Sequence, residues 1–282
     1  MSIVSDTDMK VWLDVTDDEY DLNVEPIQNA VESFIQDSYC KRTLESTSYA
    51  LETYDGKGHQ ILNLDNYPIT ALDRVAIGTR DAIKIRNTSD YTTASVSVTS
   101  TGLRLVKDGT ADVSVTWASN ATMSAVVTAV NALGSGWEAS IMSTDYNSFK
   151  SSELIARWAA NTINDNWVYL DMPEDAEDEI EVYADRGQIW KYSGFTRGVR
   201  NVFVDYTAGY TAANMPEDLQ LAVKILTKYF YDKRDEETWG VESFSTGHIR
   251  TVFERESLSP SEERALPKEV RAILNRYRRV KT

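Results

Sequence analysis

TYDGKGHQILNLDNYPIT, residues 53–70, is where the chain changes its period. It reads as a hairpin turn, a strand and a tyrosine-proline corner. Gly56 and Gly58 are expected to supply the positive-φ backbone of the turn. Ile61, Leu62 and Leu64 provide apolar contacts on the strand after it, and Pro68 ends that strand with its fixed φ. His59 sits at the turn. Histidine is the usual proton shuttle near neutral pH, but beside Gly58 the turn chemistry favours a polar turn residue over a general base.

Upstream the period is helical. In DDEYDLNVEPIQNAVESFIQDSYCKR, residues 17–42, Ile27, Ala30, Val31, Phe34 and Ile35 recur at steps of three and four and make one apolar face. Pro26 either starts this helix or kinks a longer one. The cluster at 16–18 supplies a cap. From Ser46 the period is two. SYALETY, QILNL, ALDRVAI and AIKIRN read as strands. EIEVYADRGQIWKY and NVFVDYTAGY resume the pattern much later, punctuated by Gly187 and Gly198.

Between these halves, residues 90–164 differ in character and are rich in Ser, Thr, Val and Ala. The order read there is strand, hairpin at KDGT, strand, helix over TMSAVVTAVNALG, and a strand from Trp137. Thr122 caps the helix and Gly134 stops it. A small β-β-α-β domain inserted in a sheet loop is expected, because lengthening a loop adds little closure entropy. SSELIARWAANTIND, residues 151–165, reads as a second helix or an exit segment. After Asn214, MPEDLQLAVKILTKYFYDKRDEE is the strongest helix in the chain. Pro216 is in its first turn, and Glu217 and Asp218 lie at its positive dipole end. Residues 239–266 read as a loop, and PKEVRAILNRYRRVKT as a final short helix. The expected class is α+β: a small helical bundle packed on an antiparallel sheet. The core spans 1–89 and 165–282, the insert 90–164, and a tail about 264–282.

Composition narrows the function. The chain has 282 residues, 42% hydrophobic and 26% charged. That is enough for a core without disulfide or metal staples. Cys40 is the single cysteine, so no intramolecular disulfide forms, and a small buried hydrophobe is its expected role. No apolar run approaches the roughly 20 residues of a membrane span. The acidic start lacks the order of a secretory signal, which points to a cytosol-like setting and no membrane partner. The formal charge is −15, yet from Arg264 onward seven basic residues face only Glu269. An acidic body does not grip DNA with its whole surface, and a basic tail calls for its own partner.

No recognisable chemistry is assembled. Two histidines and one cysteine do not make a zinc site, and no phosphate-binding glycine loop or nucleophile elbow is present. No cofactor is implied. The densest acidic run is DMPEDAEDEIE, residues 171–181. It reads as a solvated loop, or as a wall that repels a polyanion. It lacks the spacing of a calcium loop. Leu266, Val270, Ile273, Leu274 and Tyr277, with the arginines among them, read either as a solvated helix or as a docking peptide entering a partner's groove. The seven tryptophans form no ladder.

The order of segments resembles the head–tail connector, or head-completion, proteins of long-tailed bacteriophages and related gene-transfer particles. The aromatic-Asp-Gly hairpin TYDGKG, the YPI corner, the strand end YTAGY and the helix MPEDL carry the likeness, over roughly the first and last 90 residues. The resemblance implies a non-enzymatic virion protein at the head–tail junction, assembled in the host cytoplasm. It implies a ring of neighbouring copies, commonly twelve, beneath the portal protein. DNA passes through such a ring without sequence-specific binding, and a downstream neck, stopper or tail-completion protein docks on it. By analogy, Leu266, Val270, Arg271, Ile273, Leu274, Arg276, Tyr277, Arg278 and Arg279 are the candidates for portal docking. Asp171, Glu174, Asp175, Glu177, Asp178 and Glu179 are the candidates for facing the channel. Truncation before Pro267 is expected to leave the body folded. Two other readings stand beside this one. The first is a carbohydrate- or receptor-binding module using Trp117 and Trp137 of the insert. The second is a hydrolase using paired carboxylates.

Overall fold

The computed structural model describes residues 2–112, 115–174, 179–235, 243–246, 249–252 and 266–279. The chain opens with α1 (Asp6–Leu13), whose first turn is capped by the Ser5 side chain accepting from Asp8 N–H. One long irregular helix follows: α2 (Asp17–Glu19), a π-helical turn Tyr20–Val24, α3 (Glu25–Ser33) and a second π-helical stretch Phe34–Cys40. Thr16 caps it by accepting from Glu19 N–H. Pro26 starts α3 at its first turn, inside the longer irregular helix and just after the wider π turn, where its missing N–H leaves the fewest bonds unmade.

Sixteen strands are described, beginning with β1 (Thr47–Gly56), β2 (Ile61–Asn63), β3 (Ile69–Ile77) and β4 (Thr79–Asn87). The middle block holds β5 (Ala94–Val98), β6 (Gly102–Lys107), β7 (Thr110–Ala111), β8 (Val115–Thr116), α4 (Met123–Ala132), β9 (Trp137–Ile141) and β10 (Arg157–Asn161). Then come β11 (Val168–Pro173), β12 (Ile180–Tyr183), β13 (Gln188–Lys191) and β14 (Gly198–Ala208). The chain continues with α5 (Glu217–Asp235), β15 (Ser243–Thr246), β16 (Ile249–Val252) and α6 (Lys268–Leu274). The fold is α+β, as expected.

Three apolar clusters organise these elements. The helices bury Val31, Ile35, Tyr39, Leu219, Val223 and Leu226 against one another. The antiparallel sheet β1–β14–β3, with the smaller sheet β12–β13–β2, buries Leu62, Leu64, Val75, Ile189, Val204 and Tyr206. The third cluster joins sheets β11–β4–β9 and β10–β5–β6–β7 to α4 through Ile83, Ile85, Val96, Leu105, Val126 and Leu170. This cluster draws on β4 and β11, outside residues 90–164. The chain leaves the first sheet at Gly78 and returns at Glu174, where Glu174 N–H donates to Gly78 O at 3.1 Å.

Several local expectations change. Residues 151–165 form a short 3₁₀ turn, Ser151–Glu153, and then strand β10 on the edge of β5, not a second helix. The open β5 edge outweighs the helical propensity of an Ala-containing run. Within 239–266, read as a loop, β15 and β16 pair as a hairpin, with Thr246 opposite Ile249. Gly58 has φ +78°, but Gly56 is not in the positive-φ region. A Cβ on Gly56 would lie 1.8 Å from Thr196 O. Close contact, rather than backbone twist, demands glycine there. Pro68 precedes β3 rather than ending β2. The helix α4 is capped by Thr122 as expected, and the β6–β7 hairpin turns at Asp108–Gly109.

Candidate docking surface at the C-terminal segment

The predicted docking peptide lies across the body of its own chain. Leu266, Val270 and Leu274 do enter a groove, but the groove is made by α5 and the end of the Phe34–Cys40 helix, where all three are buried. Ile273 and Tyr277 are half-buried against the same cluster. The apolar half of the expected partner contact is thus already covered. Truncation before Pro267 would open this core, contrary to the expectation of a tail that can be removed freely.

Polar contacts fasten the residues beyond α6. The Tyr277 hydroxyl donates to Asp218 Oδ1, and Arg276 Nη1 lies 3.3 Å from Asp218 Oδ2. Asp218 stands in the first turn of α5, where the helix dipole favours a carboxylate. Burial first, then the bond to Asp218, pushes the Tyr277 hydroxyl well above the ordinary tyrosine pKa, so it stays a donor. Its ring meets Tyr210 edge-on at 6.3 Å. The Tyr39 hydroxyl donates to Asn275 Oδ1 at 2.8 Å, and the Arg278 guanidinium lies 5.8 Å from the Tyr39 ring centroid.

Arg42, to which no local pattern in the sequence points, ties the three parts together. It is buried, donates through Nε to Tyr277 O at 2.7 Å and through Nη1 to Tyr67 O, and stacks on the Tyr67 ring at 3.6 Å. Tyr67 in turn donates to Arg278 O at 3.2 Å. Its partners, Tyr67 and Tyr277, are too far along the chain for a local pattern to point to it. Glycine closes the same corner. Gly209 of YTAGY has φ +104°, and a Cβ on it would meet Glu45 O at 2.3 Å. Both the twist and the close approach require a residue without a side chain.

β1 and β2 pair with β14 and β13 rather than with each other, so the expected hairpin is a turn between two sheets. Arg279 reaches the segment just after β2. Its Nη2 pairs with Asp65 Oδ1, and its N–H donates to Cys40 O at 2.8 Å. It thereby forms one wall of a cavity of about 500 Å³ whose other walls include Tyr54, Lys57, His59, Leu62, Leu64 and Phe195. Beside it, Tyr54 and Tyr206 both donate to Glu52 Oε2, the former at 2.6 Å. Burial drives both hydroxyls well above the usual tyrosine range, since it disfavours the phenolate.

The acidic candidates do not share one environment. Asp171, on β11, faces Asp81 of β4. Desolvation first, then a hydrogen bond and repulsion from Asp81, raises its pKa above the usual aspartate value, and Arg157 offsets part of this. Both leading causes disfavour the charged form. Glu174 and Glu179 are exposed. Asp175, Glu177 and Asp178 lie outside the described residues, as does His248.

The aromatic residues expected to bind sugars are used otherwise. Trp137 is buried with its Nε1 donating to Asp112 at 2.6 Å, and Trp117 packs against the same cluster. Cys40 is buried, and burial raises its thiol to about 11, so it is not the thiolate a nucleophile needs. In the cavity wall, Asp55 accepts from Arg200 N–H at 2.6 Å and Asp65 is paired with Arg279. Among the described residues, no group of three or more His, Cys, Asp or Glu could hold a metal ion, and no helix is long and apolar enough to cross a membrane.

Buried polar side chains join the helices, the Tyr-Pro corner and the C-terminal segment of this α+β fold. A family model described as head completion protein matches residues 121–280, more than half of the chain. The chain belongs to the head completion protein family, structural proteins of the virion head–tail region, the family its hairpin and helix motifs resemble. No curated protein matches it. Among solved structures it is similar to a chain from the neck of an empty GTA particle computed with C6 symmetry. The identity is 12%, the TM-score 0.42, and the likeness covers 99% of this chain and 91% of that one.

Proposed function

We propose that this protein is the adaptor that joins a portal to the neck. Copies form a ring, of twelve in the commonest arrangement, beneath the portal protein. The ring continues the DNA channel and offers its far side to a neck, stopper or tail-completion protein. The observation that carries this reading is the family match, which runs through α5 and the C-terminal segment to residue 280. Portal contact falls to the outward side of that segment. Arg276 and Arg278 are exposed there and Arg271 is half-buried, while Leu266, Val270 and Leu274 act from beneath by holding that side in place. Ile273, Tyr277 and Arg279 complete the surface. The run Asp171–Glu181 is the candidate channel wall, through Glu174, Glu179 and the residues between them. Acidic side chains there let DNA slide without adhering.

The connector core is residues 1–89 and 165–282, with the unit at 90–164 inserted in it. The shared apolar cluster supports drawing the physical boundary wider, at Gly78 and Glu174, where exit and return are bonded together.

Arg276→Glu combined with Arg278→Glu tests the docking assignment without opening the core. With the circular dichroism spectrum unchanged, the variant should lose capture by an immobilised portal ring. Undiminished capture would sink the assignment.

A further inference from the structure

Two surfaces of opposite charge and shared apolar character stand out on this acidic chain. The first is the loop end of the β1–β14–β3 sheet, where the β1–β2 turn lies beside the segment between β13 and β14. Lys57, His59, Arg197 and Arg200 are exposed there. A Cβ on Gly58 would lie 3.1 Å from Arg197 Nε, which shows how closely the two loops pack. Tyr192 is 71% exposed and Val199 84%. The one acid in residues 53–60 and 192–200, Asp55, is already bonded to Arg200 N–H at 2.6 Å.

The second surface is the helical N-terminal end. Val11 of α1 is 79% exposed, its neighbour Trp12 44%, and Leu22 of the following helix 76%. On the same two helices and their connection Asp6, Asp8, Asp14, Asp17, Asp18 and Asp21 are exposed. Lys10 is the only cation in residues 5–25, and it is held by Asp17 at 2.9 Å; Lys224 of α5 lies 5.9 Å from the Trp12 ring and is outnumbered by these acids. Apolar side chains left in water beside a dense field of one sign fit an interface better than a solvated face.

We infer that the acidic, apolar face of α1 and its neighbouring helix docks on the basic, apolar loop end of a second copy, head to tail. The occupant follows from charge. Either patch set against its own equivalent would bring like charges together, whereas each patch complements the other. A contact between two different patches is heterologous, and it closes into a ring when the rotation permits. The inference therefore deepens the ring reading above and rests on it.

Engineered cysteines test it, since the native Cys40 is buried. Chains carrying Trp12→Cys and chains carrying Tyr192→Cys are oxidised separately and mixed. Covalent dimers should form in the mixture well above either variant alone. Lys57→Glu with Arg197→Glu in the Tyr192→Cys chain should cut that excess about tenfold, and Asp14→Lys with Asp21→Lys in its partner should restore it. No excess in the mixture, or no rescue by the reciprocal swap, overturns the interface. Electron microscopy with the portal separates the two levels. Rings that persist in the Lys57→Glu, Arg197→Glu chain overturn this interface and leave the ring reading standing. A native chain that forms no ring overturns both.

Discussion

Arg42 shows how one side chain can join parts far apart in sequence. It bonds the carbonyls of Tyr67 and Tyr277 and stacks on Tyr67, all within a buried corner. Lysine keeps the charge but has no planar fork. Arg42→Lys should therefore destabilise the protein by about 1.5–3 kcal/mol, read as a lower urea midpoint at unchanged slope. Asp171 carries the opposite lesson. Its folded pKa lies above the unfolded value, so the folded state holds the proton more tightly. The stability linked to it is full below the ordinary aspartate pKa and is lost as pH rises through the raised folded value. At neutral pH the Asp81–Asp171 pair is a net cost. Asp171→Asn should gain about 0.2–1 kcal/mol at pH 7, the usual size of a cross-strand charge effect, and nothing in acid; thermal melts at both pH values check this.

Among the elements, α6 is the one whose role changes most between sequence and structure. Its apolar stripe was legible, and the stripe is indeed buried, but under the chain's own helices. Leu274 fills a fully buried site between α5 and the Phe34–Cys40 helix. Leu274→Ala empties that site and should cost about 2–5 kcal/mol. The contact of Arg276 with Asp218 is exposed on the arginine side. Arg276→Ala should therefore change stability by about 0.5 kcal/mol or less. Equal effects in chemical denaturation would contradict this division into an inner and an outer side. Strand β10 teaches the reverse. Its composition permits a helix, and only the unpaired edge of β5 makes it a strand.

For the whole molecule, the boundary drawn for the proposed inserted unit matters more than its length. Excision of 90–164 would strip cover from Ile83, Ile85, Val168 and Leu170, which belong to the same apolar cluster as the middle block. Replacing 79–173 by a short Gly-Ser linker removes that core entire, between two residues already bonded to each other. The second excision should leave a cooperatively unfolding protein and the first should not, as judged by urea titration followed by circular dichroism. A head-to-tail ring makes a further demand at this scale. Its two faces must differ, and in the proposed ring the acidic α1 region and the basic β1–β2 turn are separate segments of opposite charge.

The turn after β1, the Tyr-Pro corner, the long helix with its acidic first turn and the capped helix of the middle block were all legible in residues 53–70, 122–134 and 215–237, but the expected hairpin there was not formed, since β1 pairs with β14 and β2 with β13. Each depends on local periodicity, caps and turn residues, which act over a few positions. The family likeness rests on residues 53–70, 206–210 and 215–219. What α6 packs against, the part played by Arg42, the facing of Asp171 and Asp81, and the true extent of the middle core were not legible. Those depend on contacts between residues far apart along the chain, such as Arg42 with Tyr277, and no local pattern encodes such a meeting. Only burial and hydrogen bonding in the folded chain decided them.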